Sequence, residues 1–126
     1  MSNRRTILLV EDDDDLRKMW RVALSLEGFE VEEVGDGVEA LQRVEQKLPD
    51  LVVLDLDLPR LGGLSVQQEI AAHALTRHIP IVIVTGSAMN LSHLDVPCVL
   101  RKPIFPEQIV KTVRRCLPSG ARGASH

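Results

Sequence analysis

Short apolar runs in this chain end, one after another, in polar groups of complementary chemistry. Ile7-Leu8-Leu9-Val10 leads into Glu11 and Asp12, and Leu51-Val52-Val53-Leu54 into Asp55. Ile81-Val82-Ile83-Val84 leads into Thr85, and Val99-Leu100 into Arg101-Lys102. As strands of one parallel sheet these runs would deliver their terminal groups to a single rim, where open α/β sheets bind ligands. Carboxylates gathered at one rim repel one another unless a cation lies among them. Hard divalent ions such as Mg²⁺ take oxygen sites of this kind and keep several waters. A carboxylate beside Mg²⁺, with a lysine and a hydroxyl to hold further oxygens, can act as a nucleophile toward a phosphoryl group, and Asp forming an acyl phosphate is an established covalent route. In this reading one carboxylate attacks, the metal neutralises charge on the transferring group, and Lys102 adds a second cation. A strand-end aspartate also serves simply as a cap, so Asp55 alone decides nothing.

The elements that must position these groups follow from periodicity. Residues 51–54 are unbroken apolar and rich in β-branched types, bounded by Pro49-Asp50 and Pro59, which predicts a strand buried on both faces. Residues 6–10 predict a second such strand, and Asp14 or Asp15 suits the N-cap of the helix after it. That helix carries Leu16, Met19, Trp20, Ala23 and Leu24 at helical spacing, with Gly28 at C′. Residues 29–34 read as a strand. Asp36 caps a helix facing inward with Val38, Leu41, Val44 and Leu48. Gly62-Gly63 predicts a loose loop before a helix from Leu64 to about Leu75, with Leu64, Ile70, Ala71, Ala74 and Leu75 inside. Residues 79–84 and 97–100 complete the strands, and 89–94 leave room for a turn or two of helix. Pro106 and Glu107 open a last helix. Its inner side is Ile109, Val113 and Leu117, Arg114 and Arg115 occupy its last turn, and Pro118 stops it. Strand alternating with helix demands a parallel sheet with helices on both faces.

Composition narrows the function. At 126 residues, 44% hydrophobic and 26% charged, the chain reads as one soluble domain able to bury its own core. A net charge of -3 gives no basic surface for nucleic acid, and 2% aromatics give no stacking platform. Cys98 and Cys116 match no metal spacing and read as free thiols of a reducing cytosol. His73, His78, His93 and His126 fit no metal or catalytic pattern. Behind Arg4 and Arg5, the apolar run 7–10 stops at acidic residues, too short for a signal peptide or a membrane span. The expected location is the cytoplasm.

The order Ile7-Leu8-Leu9-Val10-Glu11-Asp12-Asp13, Leu54-Asp55-Leu56-Asp57-Leu58-Pro59, Thr85 and Lys102-Pro103 resembles the receiver domain of two-component response regulators, over about residues 6–117. The resemblance implies an α/β, flavodoxin-like (βα)5 doubly wound parallel five-stranded sheet of order 2-1-3-4-5. It implies a phosphoacceptor at Asp55, direct Mg²⁺ ligation by Asp12, water-mediated ligation by Glu11, and a backbone carbonyl from Asp57. Thr85 would bond a phosphoryl oxygen and move with it, and Lys102 would pair with the phosphoryl group or, before phosphorylation, with Asp55. The Lys102-Pro103 bond is expected to be cis. The phosphoryl group would come from a phospho-His of a sensor histidine kinase or histidine phosphotransfer protein. The chain would act on itself only, not as a conventional enzyme, and would signal to a downstream protein without binding nucleic acid or membrane.

The chain departs from that family at several points. Val99 stands where most receivers carry Tyr or Phe. The stretch from Thr85 to Lys102 is shorter than usual by more than a helical turn. Gly86 follows Thr85 where a small Ala is common, and Gly62 replaces a frequent Asp. These imply intact acceptor chemistry with an unusual output. Two other readings compete. A phosphohydrolase of the haloacid dehalogenase type shares the local Asp55-Leu56-Asp57 pattern, but its motif belongs on a first strand in a longer chain. A phosphorylation-independent pseudo-receiver would keep the fold for protein contacts and need not bind Mg²⁺. The expected organisation is a stand-alone receiver over 1–126, with a core of about 6–117 and a flexible tail at 118–126.

Overall fold

The structure, a computed structural model, describes residues 4–86 and 98–118. Its strands are β1 (Thr6–Val10), β2 (Glu30–Val34), β3 (Leu51–Asp55), β4 (Ile81–Thr85) and β5 (Cys98–Arg101). They form a five-stranded sheet of order β2-β1-β3-β4-β5, and every pair is parallel. The helices among the described residues are α1 (Asp14–Leu26), α2 (Gly37–Gln46), α3 (Gly63–Ala72) and α4 (Pro106–Cys116). The short helix expected at 89–94 and the tail from 119 lie outside the described residues.

Strand periodicity divides the core in two. Ile7, Leu9, Leu51, Val53, Val82 and Val84 point to one face, where they pack with Trp20 and Leu24 of α1 and Ile109 and Val113 of α4. Leu8, Val10, Val52, Leu54, Ile81 and Ile83 point to the other, against Ala40 and Val44 of α2 and Val66 and Ile70 of α3. All residues of β1, β3 and β4 are buried, as central parallel strands between two helical layers must be. Each fully buried Leu, Ile or Val contributes about 1.5–3 kcal/mol, which fixes the register of β1 and β3.

Several local expectations need correction. Asp13, not Asp14 or Asp15, caps α1: its carboxylate accepts from the amides of Asp15 at 2.9 Å and Leu16 at 3.0 Å. The caps at Asp36 and Gly28 stand, with Asp36 accepting from Glu39 N at 2.8 Å and Gly28 at a φ of 95°. α3 starts at Gly63 and ends at Ala72; Val66, Gln67 and Ile70 are buried on its inner face and the expected Leu64 packs partly buried against the same core. Ala71 and Ala74 face solvent, and Leu75, in the following turn, is 74% exposed. Leu48 lies beyond α2 and is exposed as well.

The cysteine reading is also overturned: Cys98 and Cys116 are joined by a disulfide. A helix that crosses back over a parallel strand ends beside that strand's start. The end of α4 therefore meets the start of β5, although 18 positions separate the two residues.

Gly62-Gly63 is not a loose loop. Gly63 is the first residue of α3 and donates its amide to Leu56 O at 3.2 Å. A Cβ there would run into Asp55 O and Leu56 Cα, so α3 rests directly on the backbone that leaves β3. Gly62, at the N-cap, has open space around it. Gly63→Ala is therefore predicted to lower unfolding free energy in urea by about 1–3 kcal/mol through overpacking. Gly62→Ser is predicted to be neutral or stabilising by about a few tenths of a kcal/mol, because it adds a capping hydroxyl.

Candidate functional site

In the order β2-β1-β3, the connection from β1 leads to one side and that into β3 returns to the other. The crevice at the carboxyl ends of β1 and β3 is thus the topological switch point where such sheets bind ligands. β1 runs into Glu11, which is fully buried, and β3 ends in Asp55, which is 1% exposed. Glu11 continues the ladder by donating its amide to Val34 O at 3.2 Å. Asp12, beside it, is exposed. Carboxylate oxygens of Glu11, Asp12 and Asp55 lie within 4.8 Å of one another.

A lysine faces this group. Lys102 Nζ lies 3.2 Å from Asp55 Oδ2 and 3.3 Å from Glu11 Oε1. Its backbone is held by the pairing of β5 with β4 and by Lys102 N donating to Thr85 O at 2.8 Å. The Lys102-Pro103 bond is cis, as expected. Asp55 Oδ1 accepts from the amide of Asp57 at 3.0 Å, so both oxygens of Asp55 are engaged. Glu11 Oε2 accepts from Asp13 N at 3.1 Å. Glu11 Oε1 is buried with no well-formed hydrogen bond among the described residues, leaving the Lys102 contact as its compensation.

The charges show in the protonation equilibria. Burial, then the neighbouring Asp55, pushes Glu11 up from 4.5 to about 7, against the lowering pull of Asp13 N and Lys102. For Lys102, burial alone favours the neutral amine, but Asp55 and Glu11 outweigh it and hold its pKa above the ordinary value. The site is short of positive charge. A hard cation taking oxygens from Glu11, Asp12 and Asp55 fits this donor set and would satisfy the orphaned Glu11 oxygen.

The remaining residues line the rim. Thr85, at the end of β4, is fully buried and lies in register with Arg101. Asp57 is exposed, and its side chain approaches Gly86, as does Lys102: a Cβ on Gly86 would lie 4.0 Å from Asp57 Oδ2 and 3.9 Å from Lys102 Cδ. These are ordinary contacts, so the space would accept alanine at Gly86. Val99, in register with Ile83, is partly buried against the α2–α3 side of the core.

Sequence reasoning missed one member. Arg17 Nη1 donates to Glu11 O at 2.8 Å, while its other nitrogens reach Asp14 Oδ1 at 2.6 Å and Glu33 Oε1 at 3.1 Å. It ties the backbone of the acidic turn to α1 and β2. The Asp14/Arg17 spacing of i,i+3 in the first turn of a helix beginning at the acidic run was the available signal.

The model of the response regulator receiver domain matches residues 7–114. The DNA-binding response regulator MtrA of Mycobacterium tuberculosis (strain ATCC 25618 / H37Rv) is 34% identical over 116 residues, 88% of this chain and 50% of MtrA. This chain thus spans about half the length of the MtrA relatives it matches. The polar-differentiation response regulator DivK of Brucella anthropi is 28% identical over 118 residues, 90% of this chain and 96% of DivK. Among solved structures, the receiver domain of sensor histidine kinase PA1611 from Pseudomonas aeruginosa, with magnesium coordinated in its active-site cleft, aligns with a TM-score of 0.82. It is 29% identical, and the match covers 90% of this chain and 97% of that one. A family match across most of the sequence, on a sheet of the same architecture, leads to one conclusion: the chain belongs to the receiver domains of two-component response regulators.

Proposed function

We propose that Asp55 accepts a phosphoryl group from a phosphohistidine of a histidine kinase or phosphotransfer protein, in a reaction that needs Mg²⁺. The observation that carries this reading is a buried Asp55 flanked by Lys102 on one oxygen and Asp57 N on the other, beside Glu11 and Asp12. An Asp55 oxygen attacks phosphorus, the P–N bond breaks, and the imidazole leaves as an acyl phosphate forms. The backbone amide of Asp57 orients the attacking carboxylate. Lys102, already 3.2 Å from that carboxylate, transfers its contact to a phosphoryl oxygen. The Thr85 hydroxyl bonds another. Glu11, Asp12, Asp55 and the Asp57 carbonyl would hold the magnesium, which supplies charge neutralisation on the transferring group. Val99 offers no aromatic ring to follow Thr85, so the phosphorylated state would be read through the β4 end and its neighbouring backbone instead. MtrA and DivK, both response regulators by name, support the signalling role.

The test is intact mass after incubation with acetyl phosphate. A phosphoryl-sized gain that disappears on chelation of Mg²⁺ and in Asp55→Asn is expected; an equal gain in Asp55→Asn overturns the assignment of the acceptor. Lys102→Ala is predicted to leave Mg²⁺ binding in calorimetry while slowing labelling by about 10²–10³-fold, the cost of one preorganised charge donor.

The pH dependence has a definite sign. Glu11 holds a proton up to about pH 7 in the folded protein but only to about 4.5 when unfolded, so without metal its contribution to stability is lost as pH rises through that window. Thermal melts should lose Tm between those values without Mg²⁺ and lose less with it. Mg²⁺ affinity should fall as pH drops below about 7, with proton release from Glu11 on binding visible as a buffer-dependent binding enthalpy.

A further inference from the structure

The Cys98–Cys116 bridge lies on the rim of the sheet opposite the acidic cluster, and nothing in the acceptor chemistry uses it. We propose that this pair is a reversible redox-modification site, a dithiol that small-molecule disulfides or peroxides oxidise and that thiols restore.

Geometry comes first. The Cα atoms lie 6.6 Å apart, within the span a disulfide can bridge. The elements that set this separation are held without the bond: β5 by its parallel ladder to β4, and α4 by Ile109 and Val113 in the core. The thiols of a reduced protein would therefore remain opposed, ready to reform the bond. Access comes second. Both cysteines line an open groove of about 430 Å³, and Cys116 is partly exposed while Cys98 is buried. Disulfides open to solvent are the labile class, unlike those sealed in a core. Charge comes third. Arg77 and Arg115 line the same groove and put positive charge where a thiolate's negative charge develops.

The chemistry balances. The partly exposed Cys116 thiolate attacks a disulfide oxidant such as oxidised glutathione, giving a mixed disulfide and one released thiolate. The Cys98 thiolate then attacks the Cys116 sulfur and expels the second. The two thiol protons go to solvent, and two electrons reduce the oxidant. Reduction by glutathione runs the same steps backward. The oxidised state ties the start of β5 to the end of α4; the reduced state leaves those ends joined by packing alone. Because Lys102 is anchored through Thr85 O at the far end of β5, the switch acts on the rim away from the acceptor.

The experiment titrates the native wild-type protein against glutathione buffers of varied oxidised-to-reduced ratio. Alkylation and intact mass give the fraction of free thiols. The expected result is a reversible loss of both thiols together, with Tm higher by roughly 5–10 °C in the oxidised form. Cys116→Ser and Cys98→Ser should each lose that Tm difference, and Cys98→Ser should take up one glutathione at Cys116. Two thiols that stay alkylatable at every ratio overturn the proposal. So does a bond that excess reduced glutathione leaves intact, since the bridge would then be purely structural. Labelling by acetyl phosphate should change less than about twofold between the redox forms, by the site's separation from the bridge; failure of the acceptor assignment would leave the thiol titration unaffected.

Discussion

Two carboxylates buried at the ends of adjacent strands share one ammonium, and much of this structure serves that imbalance. Glu11 and Asp55 are removed from water, a placement that costs several kcal/mol per ion unless charge and hydrogen bonds offset it. Lys102 supplies one positive charge from β5, and backbone amides of Asp13 and Asp57 supply fixed dipoles. The balance still falls short, so Glu11 retains its proton to about pH 7. A site left short of cations by its own fold has a donor set that suits a hard cation. Stability is given up locally, and binding recovers it.

The sheet makes that placement possible. Because β1 sits between β2 and β3, the turns after β1 and β3 diverge and leave room between them. α3 closes the Asp55 side through Gly63, whose lack of a Cβ lets the helix rest on the chain leaving β3. Arg17 closes the other side by gripping the carbonyl of Glu11. The Asp55 carboxylate is thus enclosed by packing on its β1 and β3 sides. Thr85, by contrast, ends its strand next to Gly86, whose surroundings demand no glycine. With Val99 small and packed inward, any response to phosphorylation there would be carried by backbone and by Thr85 itself.

Much of this was legible in the chain. Strand identity followed from the apolar runs of β1, β3 and β4, because burial on both faces leaves few alternatives for such runs, whereas the order of the strands came from the resemblance to the receiver family. What was misread depended on contacts between distant segments or on a shift of one residue. Asp13 rather than its neighbours became the cap because α1 begins at Asp14, and an acidic run offers several equal candidates. On α3 the expected Leu64 and Ile70 do face the core, but Ala71 is exposed and Ala74 and Leu75 fall beyond the end of the helix at Ala72. Leu75 looked helical by spacing, but the chain turns after Ala72, where Thr76 Oγ1 donates to Ile70 O at 2.6 Å. The cysteine pair was invisible because only the return of α4 across β5 brings the two residues together.

The dependence of the site on shared charge is tested most directly by a double-mutant cycle on unfolding free energy, with Asp55→Asn and Lys102→Met, in metal-free buffer at pH 8. Lys102→Met is predicted to be strongly destabilising beside the native Asp55 carboxylate. In the Asp55→Asn background, where a neutral amide replaces that charge, it should cost much less, with a coupling of at least about 1 kcal/mol. Additive effects would contradict the shared-charge picture, because Lys102 would then not be what holds the buried Asp55 carboxylate in place.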